Sequence, residues 1–318
     1  MSTVKKTWLK TLKIDPLPVL IEQAPLPVSY SAAKSFLPRN TDLLERIGQN
    51  LIHYKPRVKL LNAQQPDGQW KLSTHFTVEE HQKAMLFLQQ LQNMTELLHY
   101  GCTREMVPIQ KGLIALLKNQ KPDGKFPLLF HHQGQVLWLL ARYGLAGNPF
   151  VEKGYRWLAK RQRPDGGWLS PSTVSSGKTL NNVRSSVWTT VIITQAFTNH
   201  SRHRKSTHTE RSAQFLLENY LQPDTTALFP EPDAWNYLYS DFSDNGLFRG
   251  GTLRFLEALA PMSSVHTHPN FHKALDWLID QQLPNGLFPH ISGKDQQGSY
   301  EVTLRVMQVL NEIDYQKK

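Results

Sequence analysis

The sequence is short of several things, and each shortage removes a class of explanation. Its 318 residues include a single cysteine, Cys102, so no internal disulfide framework exists and a reducing compartment is expected. No apolar run approaches the roughly 18 residues of a membrane-spanning helix. Residues 1–10 hold no continuous apolar stretch of signal-peptide length, so a cytoplasmic location is expected. Alternating strand patterns are nearly absent. A Gly-rich phosphate loop, a G-x-S-x-G elbow and an H-E-x-x-H pair are all missing. Acidic residues are outnumbered, 26 against 36 Lys and Arg, for a net charge of +10. That excess favours an acidic partner such as a phosphorylated substrate or an anionic lipid surface. Nucleic acid is not expected, because the basic loop at 199–208 has no interleaved aromatics. A hydrophobic content of 40% with 10% aromatics rules out a disordered chain.

What the chain does have is a repeat. Gln64 to Trp70 reads QQPDGQW, Gln120 to Phe126 reads QKPDGKF, Gln162 to Trp168 reads QRPDGGW and Gln282 to Phe288 reads QLPNGLF. A degenerate copy from Gln222 to Phe229, QPDTTALF, has lost the glycine. The Gln-to-Gln steps are 56, 42, 60 and 60 residues, and such a period marks a repeat architecture. In each copy an apolar helical pattern runs into the glutamine and proline stops the helix. Asp-Gly or Asn-Gly then turns the chain, with glycine accepting positive φ. The aromatic is expected to fold back toward the glutamine, whose amide is placed to bond the backbone of the next segment.

Two kinds of helix alternate around these clasps. Amphipathic ones precede them, near 56–64, 105–120, 150–162, 207–221 and 268–282. More apolar ones follow, near 78–98, 132–145, 185–199, 246–259 and 299–313, with 43–53 as a first member. Helices apolar around most of their circumference are buried on several sides. The alternation therefore predicts an all-α fold, an α/α toroid of about six hairpins in two concentric rings around a central cavity. The expected organisation is an irregular lead-in over 1–40, punctuated by prolines, and a repeat domain over 41–318. The lead-in's lysine-rich stretch around Trp8, Leu9 and Leu12 is expected to dock on the domain, with an anionic membrane surface as the alternative.

The Q-x3-G-x-W clasp resembles the QW repeat of squalene and hopene cyclases and the related repeats of protein prenyltransferase β subunits. Within that superfamily the chain is similar to small bacterial prenyltransferase/squalene-oxidase-repeat proteins. The resemblance implies an α/α toroid whose cavity takes an isoprenoid-like apolar substrate. It also implies that the repeats serve the scaffold. Class II cyclases use a D-x-D-D acid; the nearest match here, Asp241 to Asp244, carries Ser243 at the third position. The zinc site of prenyltransferases lacks its Asp-x-Cys, so no cofactor is expected, with a divalent metal at His268 and His272, or at His99 with Cys102, as the open alternative.

Polar groups at inner-helix starts are the places where a cavity mouth would lie. Asp241, Asp244 and Glu301 are the candidate catalytic carboxylates. His131, His132, Arg184, Arg249, Tyr300 and Arg305 are candidates for a substrate's head group, since arginines and helix N-termini suit a diphosphate. Trp138, Trp188, Trp235 and Phe255 are candidates for the apolar wall, where aromatic faces attract positive charge. Two further readings stay open: a non-catalytic lipid- or protein-binding toroid, and a carbohydrate-active α/α-barrel enzyme.

Overall fold

A computed structural model describes residues 7–72, 77–170, 183–223, 234–238 and 251–316. Among these the fold is all-helical, with thirteen α-helices, short 3-10 turns and no named strand. In chain order they are α1 (Leu17–Glu22), α2 (Leu26–Phe36), α3 (Thr41–Ile52), α4 (Lys55–Asn62), α5 (Glu79–His99), α6 (Val107–Lys118) and α7 (Phe130–Arg142). There follow α8 (Pro149–Ala159), α9 (Val187–Thr198), α10 (Thr207–Glu218), α11 (Thr252–Leu259), α12 (Pro269–Asp280) and α13 (Tyr300–Gln316). Contacts gather into two compact units, residues 25–161 in one, residues 1–24 with 162–318 in the other.

Each unit is built by the expected alternation. In the 25–161 unit α5 packs on α4, α6 and α7, and α7 on α8. In the other unit α9 packs on α10 and α11, and α11 on α12 and α13. Helix α9 is buried along its length save Gln195, as its sequence VWTTVIITQAFT requires. The 43–53 helix is a correction. It was expected to belong to the apolar inner kind, but α3 buries only Ile47 and Leu51, because its other positions are polar or open.

The clasps follow a common geometry. The outer helix ends two or three residues before the glutamine, and a β-turn closed by Gly68 N–H on the Gln65 carbonyl at 2.9 Å recurs at Gly124, Gly166 and Gly286. The glutamine amide does not bond the aromatic ring. Its NH2 bridges the carbonyl of its own glycine and a carbonyl of the next outer helix: Gly68 and Pro108 for Gln64, Gly124 and Phe150 for Gln120, Gly166 and His208 for Gln162. Those acceptors are the second residues of α6, α8 and α10. The glycine has a second reason beyond its φ of +92° at Gly166: an added Cβ would meet the Arg211 carbonyl oxygen at 2.5 Å. The aromatic is buried, and its backbone N–H is caught by a side chain in the first turn of the following inner helix. Gln133 accepts from Phe126, Thr190 from Trp168 and Thr303 from Phe288, at 2.8, 3.1 and 2.9 Å. So Gln64 and Gln120 each tie their turn to the next outer helix, and at Phe126, Trp168 and Phe288 the aromatic's backbone ties the turn to an inner helix.

The lead-in is the second correction. Expected as irregular chain, it forms a 3-10 turn over Thr7–Thr11 and helices α1 and α2. The prolines occupy positions N-cap to N2, where no intrahelical donor is needed, so they start helices instead of preventing them. Trp8 and Leu12 are buried. Gln282, whose clasp has no further outer helix to join, accepts from Lys13 N–H at 2.8 Å and donates to the Ile14 carbonyl at 2.7 Å. The described part of the lysine-rich stretch is therefore docked through Trp8 and Leu12.

Candidate functional site

The sequence candidates fall in three described groups and one that lies outside the described residues. Asp241, Asp244 and Arg249 are in the latter.

The first group is aromatic. Trp188, on the first turn of α9, lies 4.6 Å from Trp235 between ring centroids. Phe255 of α11 lies 5.7 Å from Trp235. Tyr220, which was not anticipated, stacks on Phe255 at 5.1 Å and meets Trp235 edge-on at 5.0 Å. All four are buried, and burial pushes the Tyr220 phenol up to about 12. Trp235 is held from both sides. Its indole N–H donates to the Gln222 carbonyl, and its own carbonyl accepts from the Thr252 hydroxyl at 2.7 Å. Neighbouring Leu238 donates to His290. Arg184 is exposed and donates to the Asn219 side chain.

The second group joins three inner helices. Arg305 of α13 donates through Nε and Nη2 to both carboxylate oxygens of Glu257 on α11, at 2.6 and 2.8 Å. Gln195 of α9 donates to the same carboxylate at 3.2 Å. The pair is largely buried, with 15% and 12% of the side chains exposed. Glu301 reaches Arg305 only at 3.9 Å and is 45% exposed; Tyr300 beside it is half-buried. The arginine proposed for a head group is thus engaged by a carboxylate that the sequence reading missed. Its signal was present: Glu257 is a lone acid in the apolar run TLRFLEAL, and a charge in such a helix requires a partner.

The third group is on α7. His131 and His132 have ring centroids 3.9 Å apart. His132 is buried and His131 half-buried, and burial lowers the His131 imidazole to about 4 and His132 well below its ordinary value. Both rings are therefore neutral near pH 7. His131 Nε2, both ring nitrogens of His132 and both amide atoms of Gln135 are buried without a hydrogen-bond partner. Each such group costs about 1–3 kcal/mol if left unsatisfied. Trp138, one turn further on, is half-buried. Gln135 was also missed, although its three-residue offset from His132 puts both on one helical face.

His268 caps α12, its Nδ1 accepting from Asn270 N–H. Cys102 is buried and accepts from Arg57 Nε at 3.2 Å. No helix among the described residues is long and apolar enough to cross a membrane.

No protein-family model and no curated protein matches the chain. Similar solved structures include the type II terpene cyclase MstE from Scytonema, at 14% identity over 92% of this chain and 87% of that one, TM-score 0.46. A glycosyl hydrolase family 88 protein from Bacteroides vulgatus has 13% identity over 91% and 90% of the two chains, TM-score 0.49. An unsaturated glucuronyl hydrolase from Streptococcus agalactiae has 14% identity over 90% and 79%, TM-score 0.43. At these values the likeness carries no site and no substrate to this chain. The chain is an all-helical repeat protein with α/α-toroid proteins among its structural neighbours.

Proposed function

We propose that residues 41–318 form an α/α toroid and that the protein binds an isoprenoid-like apolar molecule among its inner helices, as a terpenoid cyclase- or prenyltransferase-type enzyme. The observation that carries this reading is the aromatic cluster of Trp188, Tyr220, Trp235 and Phe255, gathered where α9 and α11 begin. Four large rings offer a polyene chain broad contact area and offer a developing cation its attractive faces. In this reading Asp241, Asp244 and Glu301 carry acid chemistry. The non-catalytic alternative shares the ligand and dispenses with the carboxylates.

Tryptophan fluorescence during titration with geranylgeraniol tests the binding. A saturable change in the native protein, lost in Trp188→Ala, is the expected outcome. An unchanged titration curve in Trp188→Ala and in Phe255→Ala would remove the aromatic cluster from the site. Asp244→Asn then separates catalysis from binding, since it should abolish turnover of a substrate that it still binds.

A further inference from the structure

We propose that the first two turns of α7 bind a neutral oxygen, a hydroxyl or carbonyl, of an apolar ligand. The proposal rests on the reading above only for the apolar character of that ligand, and its residues all belong to one helix of the 25–161 unit. His132 is 5% exposed and Gln135 6%. All four of their side-chain polar atoms, with His131 Nε2, are without a partner inside the protein. Among the described residues no other helix carries as many buried polar atoms without a hydrogen-bond partner. In the same helix Gln133 makes three hydrogen bonds, to both backbone groups of Phe126 and to the Leu128 carbonyl.

The chemistry of the set selects the ligand. A neutral imidazole presents one N–H and one lone pair, and a primary amide presents both kinds of atom. Together they match a group that donates and accepts, which a hydroxyl does, or accepts only, which a carbonyl does. A diphosphate is a poor fit, because the first three turns of α7, FHHQGQVLWLL, contain no cation. A metal is a poor fit too: among the described residues no third His, Cys, Asp or Glu completes a site around His131 and His132. The turn is also placed for access. Leu129, directly ahead of the helix, is 50% exposed, whereas Val136, Leu139 and Leu140 further along are wholly buried. The helix therefore runs from an open end, through the unpartnered polar groups, into apolar interior. In the structure the polar atoms are covered, so a ligand oxygen enters by rotation of these side chains.

Three probes with related chains test the inference on the full-length protein: geranylgeraniol, geranylgeranyl diphosphate and the hydrocarbon squalene. The alcohol should bind on the order of tenfold more tightly than either other probe, since buried groups built to hydrogen-bond a hydroxyl discriminate against ligands lacking it. His132→Leu and Gln135→Leu should each bring the alcohol down to the hydrocarbon's affinity and leave squalene unchanged; circular dichroism confirms folding, and either substitution suffices. Equal or tighter binding of the diphosphate overturns the inference. So does a preference for alcohol that survives both substitutions, which would mean that ordered water alone satisfies these groups. If none of the three chains binds, the apolar-ligand reading falls and this inference falls with it.

Discussion

Two inner helices in different units handle buried polar groups in opposite ways. On α13 the Arg305 guanidinium meets Glu257 with two short hydrogen bonds, and Gln195 adds a third. On α7 the imidazole of His132 and the amide of Gln135 make no hydrogen bond within the protein. The first arrangement is complete: charge is matched, and both carboxylate oxygens are engaged. The second is incomplete inside the protein, and the groups remain neutral. A finished polar network serves the scaffold, while an unfinished one is available to a partner. The difference teaches that charged residues on inner helices are not by themselves the better site candidates.

The comparison is broken most forcefully by removing half of the finished network. Glu257→Ala strands a buried guanidinium and should destabilise by about 3 kcal/mol, whereas Glu257→Leu with Arg305→Leu should cost much less. Urea denaturation measures both, and equal losses would show that the pair is worth no more than its packing. The α7 histidines give the next effect, through acid. His131 falls from 6.5 to about 4 on folding, so between those values the unfolded chain binds more protons and stability rises with pH. Lowering the pH from 6.5 toward 4 should therefore remove up to about 3 kcal/mol. His131→Phe should flatten that slope, and an unaltered slope assigns the acid sensitivity elsewhere. At pH 7.5 the same logic makes His132→Leu neutral or stabilising, because it removes an unsatisfied polar group.

The clasps sharpen the contrast on a smaller scale. Gly166→Ala places a Cβ against the Arg211 carbonyl at a φ of +92° and should cost about 2 kcal/mol. Gly286→Ala meets only the Ile14 side chain, nearest atom 3.1 Å, and should cost about 1 kcal/mol from backbone strain alone. Thermal unfolding of the two variants ranks them, and the reverse order would contradict the close approach of outer helices. Smallest is Gln120→Leu. It gives up two hydrogen bonds to the Gly124 and Phe150 carbonyls, about 1 kcal/mol in all, because a partly open site lets water replace them.

Much of this was legible in the residues. The P-D-G turns, the helices on either side of them and the apolar character of α9 all appear where the pattern put them, because each depends on neighbours within a few positions. The lead-in was misjudged for a local reason that was readable: prolines spaced as Pro16, Pro18 and Pro25, Pro27 suit helix starts as well as extended chain. The clasp's second fastening escaped notice because Gln133, Thr190 and Thr303 lie beyond the motif, seven to twenty-two positions from the backbone they catch. At the site, Trp188, Trp235 and Phe255 were selected and do come together. Tyr220 completed them from an outer-helix end that sequence position gave no reason to choose.

The amino-acid order by itself determined the all-helical repeat and its turns, since helix periodicity, proline's missing donor and glycine's freedom at positive φ act within one or two turns of chain. Only the tertiary structure decided which polar side chains are spoken for. Arg305 finds its carboxylate 48 residues away, and His132 finds no hydrogen-bond partner in the protein. Pairing in a low-dielectric interior depends on which helices meet, and that is a property of packing.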